Sequence, residues 1–238
     1  MTEKEKMQSG SLYSADDREL IDERIKAKKL CAEYNTCAYN DFQKKDRILD
    51  RLVALKGENV EIEPYFSCSY GYNTILGTNF HADQGLIIND SAQVTFGDHI
   101  FIGPNCSFNT SSRPYDAEAR RADLESSEQI NIGSDVYFVS NVTVYGGVTI
   151  GDNVVITAGS IVTEDIPSNC IASGNPCRSV KALQPLASPA QPSAPAAPVA
   201  PAAPTAPAGK PADTYRPKRV ELQRIDNPRR NDFPDYKK

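Results

Sequence analysis

The sequence is poor in the residues from which metal sites and membrane anchors are built. Its 238 residues include two histidines and no tryptophan, and its six cysteines contain no CxxC pair. This pattern does not predict a zinc site, and a chain of this length needs no disulfide framework. The first ten residues are polar, and no apolar run is long enough for a secretory signal or a membrane span. We therefore expect a cytoplasmic protein with no bound metal and no membrane contact.

An excess of positive charge is also missing. The formal net charge at pH 7 is −5. Proteins that bind nucleic acids usually present a basic surface to the phosphates. We therefore expect no nucleic-acid partner.

A six-residue repeat occupies the centre of the chain. A helix repeats its apolar residues near every 3.6 positions and a strand near every 2, so a period of six fits neither alone. It predicts a hexapeptide-type parallel β-helix, in which short strands and tight turns make coils that stack around one core. The repeat positions are Leu76, Ala82 and Ile88, then, after a slip of two residues, Phe96, Ile102 and Phe108, and finally Ile132, Phe138, Val144, Ile150, Ile156 and Val162.

The segments around the repeat suggest a cap and a loop. Residues 1–10 are expected to be disordered. Residues 11–57 contain two amphipathic patterns, which predict a helical cap over the open end of the solenoid. The β-helix spans residues 58–183, and residues 109–131 interrupt the repeat as a protruding loop, where function tends to lie. The side chains predicted to face inward from the cap are Leu20, Ile21, Ile25, Ala27, Cys31, Ala32, Ile48, Leu52 and Leu55.

The composition changes abruptly in residues 184–238. A proline falls at every third position from Pro189 to Pro207, mostly separated by alanine. This spacing favours a disordered, polyproline II-like spacer, which cannot bury a core. An inert linker and a docking site for a proline-binding protein both fit the pattern. The basic segment after it is either a solvated tail or a weak contact for an anion or a partner.

Several short runs resemble a known family. They are Ser11-Leu12-Tyr13, Gly97-Asp98, the runs 147–153 and 158–163, and Gly174-Asn175-Pro176. Over residues 10–183 the chain resembles the maltose, galactoside and nodulation-type sugar O-acetyltransferases. The resemblance implies a mostly β fold, a left-handed parallel β-helix, a homotrimer and acetyl-CoA as cosubstrate. It also implies an active site between two subunits, in which a histidine of the protruding loop is the general base.

The sequence departs from that family at the catalytic position. The family's loop commonly has Thr-x-x-His-Pro, whereas this chain has Thr110-Ser111-Ser112-Arg113-Pro114. A guanidinium stays protonated and has no acceptor lone pair, so Arg113 cannot be the base. His81 is a possible substitute, because Asp83 lies two residues on and thus on the same strand face, where it could orient the imidazole. A salt bridge between Asp83 and Arg113, which would close the site, is the alternative.

Other positions of the family's site keep compatible residues. Those on the acceptor side are Ser69, Asp83 and Asp90. Those on the cofactor side are Ser140, Ala158 and Thr163 beside the thioester and pantetheine, with Arg178 and Lys181 as partners for the CoA phosphates. Each could instead be an ordinary turn, packing or surface residue. Two further departures are Glu164, where the family commonly has lysine, and Tyr137, where it has tryptophan.

Two main functions follow from these features. The first is an acetyl-CoA-dependent O-acetyltransferase acting on a sugar or similar hydroxyl acceptor, impaired or altered because loss of a general base costs about 10²–10⁴-fold in rate. The second is a non-catalytic trimeric scaffold or CoA-binding protein, whose three proline-rich tails would bind a multivalent partner with avidity. A third is acyl transfer in which the acceptor's own amine serves as the base.

Overall fold

The computed structural model describes residues 1–183, so the proline-rich segment and the basic tail lie outside the described residues. Within the described residues there are four helices and twenty strands. The helices are α1 (Glu3–Gln8), α2 (Arg18–Asn35), α3 (Phe42–Leu52) and α4 (Ala117–Arg121). The strands are β1 (Tyr13–Ser14), β2 (Leu55–Lys56), β3 (Val60–Ile62), β4 (Ser67–Cys68), β5 (Thr74–Leu76), β6 (Phe80–Ala82), β7 (Ile87–Asn89), β8 (Val94–Phe96), β9 (Ile100–Ile102), β10 (Ser107–Asn109), β11 (Ser111–Ser112), β12 (Leu124–Ser127), β13 (Ile130–Ile132), β14 (Val136–Phe138), β15 (Thr143–Tyr145), β16 (Thr149–Ile150), β17 (Val154–Ile156), β18 (Ile161–Val162), β19 (Cys170–Ser173) and β20 (Arg178–Ala182).

Three sheets form the walls of a parallel solenoid. Wall 1 contains β2, β5, β8, β13 and β16; wall 2 contains β3, β6, β9, β14, β17 and β19, with β20 antiparallel on β19; wall 3 contains β4, β7, β10, β15 and β18. Each coil takes one strand from each wall in turn. Strands of successive coils pair in register, as Val60, Phe80 and Ile100 do, so the same face of each strand points inward. The predicted parallel β-helix is confirmed.

The six-residue repeat forms the core. All six repeat positions from Ile132 to Val162 are at most 4% exposed. Four aromatic rings stack edge to face along the interior, with successive centroids 5.1, 4.9 and 5.2 Å apart. The rings are those of Phe80, Phe96, Phe108 and Phe138. Neighbouring coils therefore share one continuous apolar column.

The corner between walls 1 and 2 is a tight turn with a left-handed residue in each coil. Asparagine occupies it at Asn59, Asn79, Asn153 and Asn169, and asparagine tolerates positive φ better than most residues. His99 takes the same position with φ 57°, and its Nδ1 lies 3.3 Å from Asn79 Nδ2. This placement gives His99 a structural role.

The corner between walls 3 and 1 varies in length. Six positions separate the buried residues Val144 and Ile150 across it, but eight separate Ile88 and Phe96. The protruding loop also leaves from this corner, between Phe108 and Ile132. Within the loop, β11 and β12 pair antiparallel, and β1 from the N-terminal region adds as a third strand. The irregular parts of the coils therefore collect at one place.

Two helices cover the first coil. Asp17 and Asp41 cap α2 and α3, accepting hydrogen bonds from the backbone amides of Glu19 and Lys44. The buried face of these helices joins the core of the solenoid. Some predicted inward positions are wrong: Leu55 is 65% exposed, because α3 ends at Leu52 and Leu55 begins the first strand of wall 1, and Ile21, Ile25 and Ala32 are not buried.

The first ten residues are ordered, which corrects the expectation of disorder. Thr2 and Glu5 form a reciprocal capping box at the start of α1. Met7 is fully buried in a second, smaller core with Tyr13, Ala15, Leu20 and Tyr70. Ser127 of the protruding loop donates a hydrogen bond to the Met7 carbonyl at 2.9 Å. One buried apolar side chain thus anchors a segment that is otherwise polar.

Candidate functional site

Four of the predicted site residues line two concave surfaces, Ser69 and Arg113 the first, His81 and Asp83 the second. The first, here named the corner cavity, has a volume of about 320 Å³ at the corner between walls 3 and 1, and its lining includes Ser69, Asn89, Arg113, Asp123 and Glu125. The second, the wall-2 groove, has a volume of about 470 Å³ and is lined by His81, Asp83, Phe101, Ile102, Gly103 and Tyr137. The two linings share no residue, so a single chain does not bring His81 to Arg113.

Arg113 is held by two carboxylates in the corner cavity. It follows β11 directly, and its guanidinium donates to Asp123 Oδ1 and lies 3.2 Å from Glu125 Oε1. The hydrogen bond from Arg113 lowers the pKa of Asp123, and the same bond raises the pKa of Arg113. The pairing keeps Arg113 charged, so this side chain has no means of accepting a proton.

The N-terminal region supports that ion pair. The hydroxyl of Tyr13 on β1 donates to Glu125 Oε2 at 3.0 Å, and burial raises the pKa of this tyrosine. Arg24 of α2 donates to Tyr70 Oη at 2.7 Å and to the Ala15 carbonyl at 2.6 Å. Segments far apart in the sequence therefore fix the polar wall of the cavity.

Asp90 lies beneath the corner cavity and is not part of its lining. It is fully buried, and its Oδ1 accepts hydrogen bonds from the backbone amides of Ser69 and Tyr70 at 3.1 and 2.8 Å. Its Oδ2 accepts from the Thr74 hydroxyl at 3.1 Å. Because both oxygens are occupied, Asp90 supports the turn that presents Ser69. Burial raises the pKa of Asp90 to about 6.

His81 occupies the wall-2 groove between two carboxylates. Its Nε2 lies 3.4 Å from Asp83 Oδ1, and its Nδ1 lies 3.7 Å from Glu61 Oε2 on the preceding coil. The ring of Phe101, from the following coil, packs beside the imidazole at 6.3 Å between centroids. The side chain is partly exposed toward the groove. A neutral imidazole in this setting can direct one N–H to a carboxylate and keep the other nitrogen as an acceptor.

The alternative pairing of Asp83 with Arg113 does not occur within the chain. The partners of Arg113 are Asp123 and Glu125, and the partner of Asp83 is His81. The alternation of side chains along a strand explains the contact between His81 and Asp83. His81 lies on β6, and Asp83 follows the strand two positions later, so both side chains point to the same face.

The predicted cofactor residues divide between two corners. Ser140 and Ala158 follow β14 and β17, and the Gly159 amide donates to the Ser140 carbonyl at 2.9 Å, so these turns stack above the wall-2 groove. Thr163 follows β18 at the corner between walls 3 and 1 and is exposed. Lys181 lies exposed on β20. The predicted cofactor residues therefore do not form one continuous surface on a single wall.

Arg178 is already paired with an acidic side chain. Its guanidinium donates to Glu164 Oε1 and, at 2.7 Å, to the Cys177 carbonyl. Glu164 therefore offsets the positive charge of Arg178 and would compete with any anion that approaches this guanidinium.

Several residues of the corner cavity were not predicted from the sequence. Asp123 directly precedes β12 with a left-handed backbone, φ 51°, and Glu125 lies on β12; the β11–β12 hairpin brings both beside Arg113, and the sequence carries no periodic signal for this. Asp16 and Arg24 also line the cavity. The contribution of Tyr13 had no local signal, because it depends on the pairing of β1 with β12.

Two features of the described part of the chain bear on cofactors and membranes. Among residues 1–183, no group of three or more histidine, cysteine or acidic side chains is placed to hold a metal ion. None of the helices in that range has the length and apolarity needed to cross a membrane.

A solenoid of six-residue repeats, a helical cap and a loop at one corner define a hexapeptide-repeat protein of the acetyltransferase type. Residues 6–57 match the family described as the maltose acetyltransferase hexapeptide capping motif. The galactoside O-acetyltransferase of Escherichia coli K12 is 38% identical over 179 residues, which cover 75% of this chain and 88% of that protein.

Solved structures agree with the sequence comparison. A maltose O-acetyltransferase from Clostridium difficile 630 superposes with a TM-score of 0.76 at 41% identity, covering 77% of this chain and 98% of that one. A galactoside acetyltransferase in complex with coenzyme A superposes with a TM-score of 0.75 at 38% identity, covering 77% and 92%. The chain belongs to the hexapeptide-repeat sugar O-acetyltransferase family.

Proposed function

We propose that the protein binds acetyl-CoA and is an O-acetyltransferase homologue for a sugar or similar hydroxyl acceptor, with impaired or altered catalysis. One observation carries this proposal: the loop position that holds the family's histidine is Arg113, and its guanidinium is paired with Asp123 and Glu125. A paired guanidinium has no lone pair for an acceptor proton. The coenzyme A bound to the related galactoside acetyltransferase supports the same donor here.

Assembly as a homotrimer is part of the proposal. The family resemblance implies an active site between two subunits, and we include this arrangement in the proposal. The corner cavity and the wall-2 groove each carry part of the predicted site, and a neighbouring subunit is the simplest way to bring such parts together. All six cysteines are free, which supports a reducing, cytoplasmic location.

His81 is the best candidate for the proton acceptor in this proposal. Its imidazole would take the proton from the acceptor hydroxyl as the hydroxyl oxygen attacks the thioester carbonyl. Asp83, 3.4 Å from Nε2, would orient the ring, and the proton would pass to the departing CoA sulfur. Positioning of the acceptor hydroxyl next to the thioester, and polarisation of the thioester carbonyl, would still contribute to the rate when His81 is the base.

The cofactor would contact residues on the thioester side of the turns. In this proposal Ser140, Ala158 and Thr163 line the thioester and pantetheine, while Arg178 and Lys181 meet the phosphates. Because Glu164 pairs with Arg178, binding of CoA phosphate requires that this ion pair open. The proposal therefore includes weaker CoA binding than a lysine at position 164 would give.

Kinetics with purified protein test the role of His81. Thiol release from acetyl-CoA is followed with a panel of sugars and amino sugars, and acetyl-CoA binding is measured by calorimetry. We expect slow turnover that falls by about 10²-fold or more in His81→Ala, because the base is removed, with unchanged acetyl-CoA binding. His99→Asn is the matched control, since it replaces the other histidine outside the groove and should leave turnover unchanged.

A second variant tests the rest of the machinery. Arg113→His restores the family's residue and should raise turnover if donor and acceptor still bind productively. Equal turnover in the wild type and His81→Ala would contradict the role of His81. Acetyl-CoA binding without turnover in the wild type and in Arg113→His would overturn the catalytic proposal and favour a trimeric, CoA-binding scaffold.

A further inference from the structure

Two buried cysteines face each other where the helical cap meets the solenoid. Cys31 lies on α2 and Cys68 ends β4, 37 positions apart in sequence, and their Sγ atoms are 3.5 Å apart. The residues are 4% and 2% exposed, so the contact belongs to the interior. In the part of the chain that the structure describes, no other pair of cysteines lies within hydrogen-bonding distance.

The two thiols lie within hydrogen-bonding distance, and this contact shifts their pKa values in opposite directions. The hydrogen bond with Cys68 lowers the pKa of the Cys31 thiol, since it favours the thiolate. The same contact and burial raise the pKa of Cys68. A thiolate is the form that attacks an oxidant, so the lowered pKa favours Cys31 as the attacking sulfur and leaves Cys68 as the resolving thiol.

We infer that Cys31 and Cys68 form a redox modification site, at which a peroxide converts the two thiols to a disulfide that joins the cap to the first coil. Cys31 thiolate attacks one oxygen of hydrogen peroxide, which gives a sulfenic acid and, after protonation, one water. The Cys68 sulfur then attacks Cys31 Sγ, releases a second water and closes the S–S bond. Two thiols lose two electrons, and one peroxide gains them.

The bond would restrain the part of the cap that lies next to the corner cavity. Cys68 directly precedes Ser69, whose backbone amide donates to Asp90 at 3.1 Å, and Ser69 lines the cavity. α2 also carries Arg24, which contacts Tyr70 and Ala15. Oxidation would therefore fix α2 to the turn that presents Ser69, and a disulfide across this separation is expected to stabilise the fold.

Peptide mapping of the folded, full-length protein tests the site. The protein is treated with hydrogen peroxide, the oxidant is removed with catalase, and free thiols are alkylated in denaturant before non-reducing digestion. We expect a cross-linked peptide pair containing Cys31 and Cys68. We also expect the thermal midpoint to rise by about 5–10 °C and to return after dithiothreitol.

Variants separate this pair from the other thiols. Cys31→Ser and Cys68→Ser should each lose the cross-link and the shift in midpoint. Cys37→Ser is the matched control, because Cys37 is partly exposed on the same segment and contacts the Glu33 carbonyl instead of a thiol. Full alkylation of both Cys31 and Cys68 after peroxide treatment, or oxidation confined to one of them, would overturn the inference without reference to any variant.

Discussion

Asp90 combines full burial with three hydrogen bonds, and this makes it sensitive to pH. Burial raises its pKa from 3.8 to about 6 in the folded protein. A carboxyl whose pKa is raised on folding contributes stability below its unfolded pKa and loses that contribution as the pH rises through its folded pKa. Between about pH 4 and pH 7, we expect the free energy of unfolding of the wild type to fall relative to that of Asp90→Asn by about 2–3 kcal/mol.

Urea unfolding of both proteins at the two pH values measures this difference. Taking the difference removes the contribution of groups such as Asp123, whose lowered pKa has the opposite sign of pH dependence. Parallel pH profiles for the two proteins would show that Asp90 is not the titrating group.

The sequence predicts individual site contacts only where they are local. The proximity of His81 and Asp83 follows from the alternation of side chains along a strand, and the structure places the two 3.4 Å apart. The partners of Arg113 could not be inferred in this way. Asp123 and Glu125 reach it through a hairpin, and Tyr13 reaches Glu125 across 112 positions of sequence.

At the scale of elements, the turn between walls 1 and 2 sets a clear test. His99 has φ 57°, a region that costs most residues about 1–2 kcal/mol and that asparagine tolerates better. We expect His99→Asn to raise the free energy of unfolding by up to about 1 kcal/mol, because asparagine adopts this conformation at lower cost and can replace the contact that His99 makes with Asn79. The midpoint of urea unfolding measures the gain.

The reverse substitution is the matched comparison for the turn. Asn79→His places an imidazole at the equivalent position one coil earlier, where φ is also 57°, and should lower stability by a similar amount. If both substitutions destabilise the protein, the left-handed conformation of the turn does not explain the effect of His99 on the free energy of unfolding.

The sequence predicts which segments are strands, because the period of six repeats over many coils. It does not predict where each helix or strand ends. The pattern that predicts the second cap helix continues to Leu55, but the helix stops at Leu52 and the chain enters wall 1. Pairing of Leu55 with Ile75 on the next coil, a contact between different parts of the chain, overrides the helical pattern.

For the whole molecule, Met7 connects the N-terminal helix to the loop that carries Arg113. Met7→Ala removes a fully buried side chain and should cost about 2–4 kcal/mol. The backbone carbonyl at position 7 accepts a hydrogen bond from Ser127 of the protruding loop. Because the substitution loosens the packing of α1, this hydrogen bond should break more often and the loop should open more often. We expect faster trypsin cleavage at the exposed Arg120 and Arg121, together with a lower thermal midpoint.

Gln8→Ala is the control for this substitution, since Gln8 is exposed on the same helix. A cleavage rate in Met7→Ala equal to that of the control would mean that the loop is held by its own hairpin and by β1 alone. The sequence could not indicate this connection, because one methionine within a polar segment carries no periodic signal.

The uneven corner between walls 3 and 1 also has a consequence for protein engineering. Each coil meets its neighbours through the three walls, so added residues at this corner extend outward while the hydrogen-bond ladders and the phenylalanine column stay in place. Segments of different length could therefore be grafted there to reshape the corner cavity, while the remaining coils keep their structure.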